Sequence, residues 1–257
     1  MKWPTPSSFT SPSPPPPDEP TGFFSRRVRF YQHTYTFREL SLACGAAGVL
    51  VLAGSHVFRN YFRRVPTANH IAHHFLRKRS LLGRVTSVGD GDNFRIYHTP
   101  GGWLLGWDWL RPIPSVRKDL KDQTVHVRLA GVDAPECAHF GHPSQPYSSE
   151  ALAWLKEYVG GRRVRAYIHS KDQYERVVAT VYVWRGLWRR DVGLEMLKAG
   201  MAVVYEAKGG AEFGGRRVQY DAAEARAKHA KLGLWKQAKK KRVSPGMFKK
   251  SIREGNS

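Results

Sequence analysis

Between Glu39 and Arg59 the chain runs from Leu40 to Phe58, LSLACGAAGVLVLAGSHVF, without a formal charge. As a helix rising ~1.5 Å per residue this stretch is about 28 Å long, close to the ~30 Å hydrocarbon core of a bilayer. It is therefore either one membrane span or the buried helix of a soluble core, and in both cases it divides the N-terminal residues from the remainder of the chain. Gly45, Gly48, Gly54 and His56 temper its hydrophobicity and sustain the buried-helix reading. Ala53-Gly54-Ser55 offers the small residues of a cleavage site, but the 39 residues before the run exceed an ordinary signal n-region. The expectation is a single transmembrane helix over 40–58. Four arginines before it (Arg26, Arg27, Arg29, Arg38) balance five basic residues after it (Arg59, Arg63, Arg64, Arg77, Lys78), so positive-inside counting assigns no orientation.

The regions flanking the run differ in texture. Residues 1–20 hold eight of the sixteen prolines, so 1–39 reads as an unstructured Pro/Ser-rich leader. Arg26 to Tyr31 is the part of it that best fits a mitochondrial targeting signal. Residues 59–80 read as a basic juxtamembrane linker, 81–235 as a globular domain, and 236–257, with eight basic residues and one acidic, as a solvated basic tail. The chain carries 42 Lys+Arg against 21 Asp+Glu, net +21, which points to a polyanionic partner, either nucleic acid or an anionic membrane surface. Two cysteines, Cys44 and Cys137, exclude a disulfide-dense scaffold and a four-cysteine zinc site.

Within 81–235, five runs rich in β-formers are expected as strands: 83–88, 93–97, 124–129, 164–168 and 177–183. Helices are expected through Leu152, Leu155 and Val159 (capped by Ser148 or Ser149), over Val192–Lys198 and over Tyr220–Lys231. Five short strands with about three helices predict an α+β domain built on an OB-type Greek-key barrel. Between the second and third strands, 98–123 is an insertion with Trp103, Trp107 and Trp109. Those rings serve core filling, membrane-surface contact or base stacking.

Three segments carry chemistry. Gly89-Asp90-Gly91-Asp92 is a turn that aims a carboxylate from a strand start. Arg128-Leu129-Ala130-Gly131-Val132-Asp133-Ala134-Pro135-Glu136 is a strand bearing an arginine and ending in two carboxylates around a proline. Lys171-Asp172-Gln173-Tyr174-Glu175-Arg176 is a polar turn delivering an arginine. Phosphodiester hydrolysis needs oxygen ligands for a hard divalent cation, a base for the attacking water, and cationic forks for phosphate. Asp92, Asp133, Glu136, Arg128 and Arg176 supply that inventory, and none of it asks for an organic cofactor. Cys137, His139 and His142 form a competing zinc set of three on one short loop, without a fourth ligand and beside carboxylates that favour a harder ion.

These segments resemble the staphylococcal nuclease family, whose signature is an Asp-Gly-Asp turn, an Arg-Leu-x-x-Val-Asp-x-Pro-Glu segment and an Asp-x-Tyr-x-Arg turn. The resemblance spans Leu81 to Trp235, including Gly233-Leu234-Trp235 after the last helix. With the leader, span and insertion it is most similar to the family's fungal membrane-anchored endonucleases assigned to mitochondria. It implies a calcium-dependent nuclease acting on DNA, RNA or both, with Asp92, Asp133 and the carbonyl of Ala134 as calcium ligands, Glu136 as base, and Arg128 and Arg176 on the scissile phosphate. Asn93 and Ala134 depart from common threonines. Glu175 departs from a frequent glycine and is expected to weaken phosphate binding at Arg176. The reading from another class is a catalytically silent, membrane-tethered nucleic-acid-binding OB module.

Overall fold

Strand-forming runs alternate with turn chemistry from Ser80 to Asp191, and a computed structural model shows what they build. It describes residues 27–30, 33–138, 143–206, 211–238, 243–248 and 251, in two compact units divided after Asn60. In the first unit, β1 (Arg27–Phe30) pairs antiparallel with β2 (His33–Thr36), and α1 (Phe37–Val57) comes next. The end of the expected leader is thus a hairpin, while residues 1–26 lie outside the described residues. The helix starts three residues before the charge-free run because Thr36 and Glu39 form a capping box. Thr36 Oγ1 accepts from the Glu39 N–H (3.3 Å), and Glu39 Oε2 accepts from the Thr36 N–H (2.8 Å). No residue of α1 is buried, unlike the core helix of a soluble protein. Phe37–Phe62, including a terminal π turn, is long and apolar enough to cross a membrane by length and composition.

In the second unit the long strands are β3 (Ser80–Asp90), β4 (Asn93–His98), β5 (Val125–Leu129), β7 (Arg163–Lys171) and β8 (Val177–Arg185), with the two-residue β6 (Val132–Asp133) after β5. Antiparallel ladders join β5-β4-β3-β7-β8, and a parallel pairing of β5 with β8 (Val127↔Val177, Leu129↔Ala179) closes the ring. That is the strand order of an OB barrel. Period-2 burial drives the closure: Val125, Val127 and Leu129 turn inward with Phe94, Ile96, Ala179 and Val181, while His126 and Arg128 alternate outward. A sixth strand, β9 (Trp188–Asp191), pairs with β8. The sequence hides it, because Arg189 and Arg190 do not look like strand residues.

The three helices are α2 (Ser148–Val159), α3 (Val192–Lys198) and α4 (Arg217–His229), with β10 (Val203–Val204) paired to β6. Neither serine caps α2. Its N-cap is Tyr147 in a left-handed conformation (φ 70°), and Ser148 is buried in the first turn. The stretch 59–80, expected as a linker, is not wholly one: Val65, Ala68 and Ile71 belong to the core. Asp191 ties α3, α4 and the sheet together. Its Oδ1 accepts from the Leu194 N–H (3.1 Å) and Tyr220 Oη (3.0 Å), and its Oδ2 accepts from Arg216 Nη1 (2.8 Å). Burial pushes the Asp191 carboxyl up, and the Leu194 N–H, Arg216 and Tyr220 pull against it.

Candidate active site

Asp92, Arg128 and Asp133 come together because two turns are pressed together at one end of the β4–β5 ladder. In that ladder Asn93 faces Arg128, and the Leu129 N–H donates to the Asp92 carbonyl (2.9 Å). Gly91 permits the approach: a Cβ there would lie 2.7 Å from the Cβ of Ala134. A side chain at 91 would therefore force the Asp92 turn away from the Asp133-Ala134-Pro135 segment. Gly131, left-handed at φ 73°, makes the turn between β5 and β6, and a Cβ there would meet the Phe213 ring at 2.5 Å.

The result is a buried pair of aspartates sharing one guanidinium. Arg128 Nη2 lies 3.1 Å from Asp92 Oδ2 and 3.1 Å from Asp133 Oδ1, with the Tyr205 ring centroid 5.2 Å from its Cζ. Burial opposes the charge on Arg128, but Asp92 and Asp133 outweigh it and hold its pKa above the ordinary value. The two contacts differ in kind. The one to Asp133 is a hydrogen bond, whereas Asp92 Oδ2, although buried, accepts no hydrogen bond from the described residues. The other oxygen of Asp92 is held by Asn93 Nδ2 (3.2 Å), and Asn93 Oδ1 in turn faces His126 Nε2 (3.1 Å). Burial, aided by Arg95 and Arg176, lowers His126 to about 4, so the ring is neutral and its Nε2–H donates to Asn93. Asn93 thus serves as an orienting amide for Asp92.

Arg176 comes from the turn between β7 and β8. Asp172 builds that turn, accepting the N–H groups of Tyr174 (2.9 Å) and Arg176 (3.0 Å) on Oδ1 and Arg176 Nε (2.6 Å) on Oδ2. The parallel β5–β8 register sets Val177 opposite Val127, so Arg176 and Arg128 approach one end of the barrel from adjacent strands. Glu175 adopts φ 56°, which accounts for a glycine preference at this position. Its carboxylate accepts from Asn69 Nδ2 (2.8 Å) while Arg176 pairs with Asp172, so the expected interference with Arg176 is not the arrangement formed.

Glu136 is half-buried on the loop after Asp133. Gln145, which belongs to none of the three sequence segments, clamps its main chain from both sides. The Glu136 N–H donates to Gln145 Oε1 (2.9 Å), and the Gln145 N–H donates to the Glu136 carbonyl (2.9 Å). Gln145 is buried, and its Nε2 donates to the Val243 carbonyl (3.3 Å). No local signal marks such a residue, because its role depends on a loop closing across nine positions.

The donor set suits a hard cation. Two buried carboxylates lie beside a main-chain segment, and Asp92 Oδ2 has an ion pair with Arg128 but no hydrogen bond from the described residues. Burial, with Asp90 adding to it, pushes the Cys137 thiol up to about 12, and its sulfur faces the Ser148 carbonyl (3.9 Å). His139 and His142 lie outside the described residues. Among the described residues no three His, Cys, Asp or Glu side chains group as a metal site, so an ion here would draw on main-chain oxygens or water as well.

An OB barrel with carboxylates and an arginine clustered at one end has the inventory of a phosphodiester hydrolase, and comparison with known proteins says which family this chain belongs to. The profile of the staphylococcal nuclease homologues matches residues 126–237, and the chain belongs to the staphylococcal nuclease family. It is 60 % identical over 202 residues to the Sclerotinia sclerotiorum protein named "Probable endonuclease lcl3", covering 77 % of this chain and 76 % of that one. It is 60 % identical over 203 residues to "Probable endonuclease LCL3" of Pyricularia oryzae (79 % of each), and 58 % identical over 212 residues to "Probable endonuclease lcl3" of Aspergillus niger (77 % of each).

Proposed function

We propose that this nuclease is a membrane-anchored, calcium-dependent endonuclease that hydrolyses DNA, RNA or both, with its site at the Asp92–Asp133–Arg128 cluster. The observation that carries the reading is the open, buried oxygen of Asp92 beside an arginine shared with Asp133, in a chain of nuclease family. Asp92, Asp133 and the Ala134 carbonyl are the residues that hold the ion. When bound, calcium supplies charge neutralisation for the phosphodiester and its transition state.

The chain's own residues do the rest. Glu136 accepts the proton of the attacking water, and the Gln145 clamp fixes the main chain from which that carboxylate projects. Arg128 uses only Nη2 on described residues, which leaves the other edge of its guanidinium for a phosphate oxygen. Arg176, oriented by Asp172, is the second phosphate-binding fork. The helix Phe37–Phe62 is the anchor, the domain after it is the nuclease, and a mitochondrial membrane is the proposed location.

The test is digestion of single-stranded DNA, duplex DNA and RNA by the full chain in detergent, with calcium or with a chelator, wild type beside Glu136→Gln. Calcium-dependent cleavage is expected, falling ~10²–10⁴-fold in kcat in the variant with substrate binding retained. Binding of either nucleic acid without cleavage by the wild type would overturn the reading in favour of a silent binding module.

A further inference from the structure

We infer that the insertion 98–123 is an interfacial anchor, with Trp103, Leu104, Trp109 and Leu110 seated in the headgroup–acyl boundary of the bilayer that Phe37–Phe62 crosses. The inference rests on the spanning role proposed for that helix.

The insertion is bonded to the barrel on one side and apolar on the other. Trp107 is buried and donates Nε1–H to the Pro100 carbonyl (3.0 Å). Asp108, left-handed at φ 82°, pairs with Arg84 and Arg163, and Arg163 also donates to the Trp107 carbonyl (2.9 Å). On the other side Trp103, Leu104, Trp109 and Leu110 are 60 %, 83 %, 64 % and 66 % exposed. Trp109 Nε1 donates to the Trp103 carbonyl (2.9 Å), and the two rings lie 6.4 Å apart. Soluble surfaces scatter large apolar groups singly, so four held together mark a contact surface. Two exposed neighbouring indoles match the chemistry of the membrane interface.

The occupant is set by the chain path. The insertion leaves the barrel at Tyr97 and His98 and returns at Gln123. Arg64 donates to both Oε1 (2.6 Å) and the carbonyl (2.5 Å) of Gln123 and lies over the Tyr97 ring (3.8 Å), while the Val65 N–H donates to His98 Nδ1 (2.9 Å). Phe62, the last residue of the apolar helix, is two positions before Arg64. At ~3.5 Å per residue the chain cannot carry the base of the insertion far from the end of that helix. Exposed Arg111, Arg117, Lys118 and Lys121, against Asp119 and Asp122, add cations suited to anionic headgroups. A base-stacking role fits the topology less well. The insertion leaves the β4–β5 ladder at the Ile96↔Val125 end, whereas the catalytic turns sit at the Asn93↔Arg128 end.

The experiment uses the full chain reconstituted in phosphatidylcholine–phosphatidylglycerol vesicles, with and without lipids brominated high on the acyl chain, and a chelator present. Wild type is compared with Trp103→Phe/Trp109→Phe, which keeps apolar rings at exposed positions. The emission lost in the variant is expected to be the part that bromolipid quenches and the bilayer shields from acrylamide, so bromolipid quenching falls about twofold or more. Unchanged bromolipid quenching overturns the inference, as does emission from the pair that responds to an added single-stranded oligonucleotide and not to bromolipid. Alkaline carbonate extraction reads the span separately. A released chain overturns the spanning role and the inference with it, whereas a retained chain with unchanged quenching overturns the inference alone.

Discussion

Two buried aspartates in this barrel, Asp92 and Asp191, are each 4 % exposed, and each faces an arginine. Their surroundings are nonetheless opposite. Asp191 has both oxygens claimed, by the Leu194 N–H, Tyr220 and Arg216, and it joins α3 and α4 to the sheet. Asp92 has one oxygen held by Asn93 and the other accepting no hydrogen bond from the described residues, while its arginine is divided with Asp133. Burial and ion pairing therefore do not distinguish a scaffold carboxylate from a site carboxylate. Hydrogen bonding separates the two, because a buried oxygen with an ion pair but no hydrogen bond keeps lone pairs for a further ligand.

The largest effect expected to separate the two is on cleavage. Asp92→Asn should lower nuclease activity by about 10²–10³-fold, the scale of removing one electrostatic element from a transition-state site. Its unfolding free energy should stay within about 1 kcal/mol of wild type, since Arg128 keeps its hydrogen bond and ion pair to Asp133 when Asp92 is neutralised. Asp191→Asn should do the reverse. It should lose about 3 kcal/mol in denaturant unfolding, because Arg216 keeps its charge without its partner, and retain activity per folded molecule. Equal destabilisation by the two variants would break the comparison.

Acid should act next, on the scaffold through His98 and at the site through His126. Burial, with Arg64 adding to it, lowers His98 to about 4 from the usual 6.5, and its ring accepts the Val65 N–H. A group whose folded pKa is depressed contributes stability that is complete above the unfolded pKa. That stability is lost as pH falls towards the folded value, here between about 6.5 and about 4. His98 should contribute a loss on the order of 3 kcal/mol over that window, beside the like contribution of His126, and His98→Asn should remove its own share from unfolding curves taken across pH. The smallest effect belongs to Gln145, a positioning residue. Gln145→Ala should reduce kcat about tenfold, the low end of losses on removing a supporting partner, with KM and calcium-free substrate binding unchanged. A parallel loss of substrate binding would show that the clamp shapes the groove and not the base.

Much of the fold was legible because it rests on local patterns. Alternation in Thr124–Leu129 set the inward face of β5, and the spacing of Leu155 and Val159 set the face of α2. Elements governed by distant contacts were harder to read. β9 is an arginine-bearing strand stabilised by pairing with β8, and Val65–Ile71 enters the core from a stretch that looks like a charged linker. Within the site, the carboxylates and arginines stood out as residue types at fixed spacings. Their supports did not: Asn93 passed for a substitution, and Gln145 for a loop residue.

By itself the sequence determined the charge-free helix, the strand count of the barrel and the candidate site side chains, since each depends on composition, period or order along the chain. Only the tertiary structure decided which buried aspartate is left with an open oxygen, which glutamine holds the loop of Glu136, and which face of the insertion is exposed. Those outcomes depend on hydrogen-bond partners brought together by the closing of β5 on β8 and by the return of the chain past Arg64, where residues far apart in sequence compete for the same lone pairs.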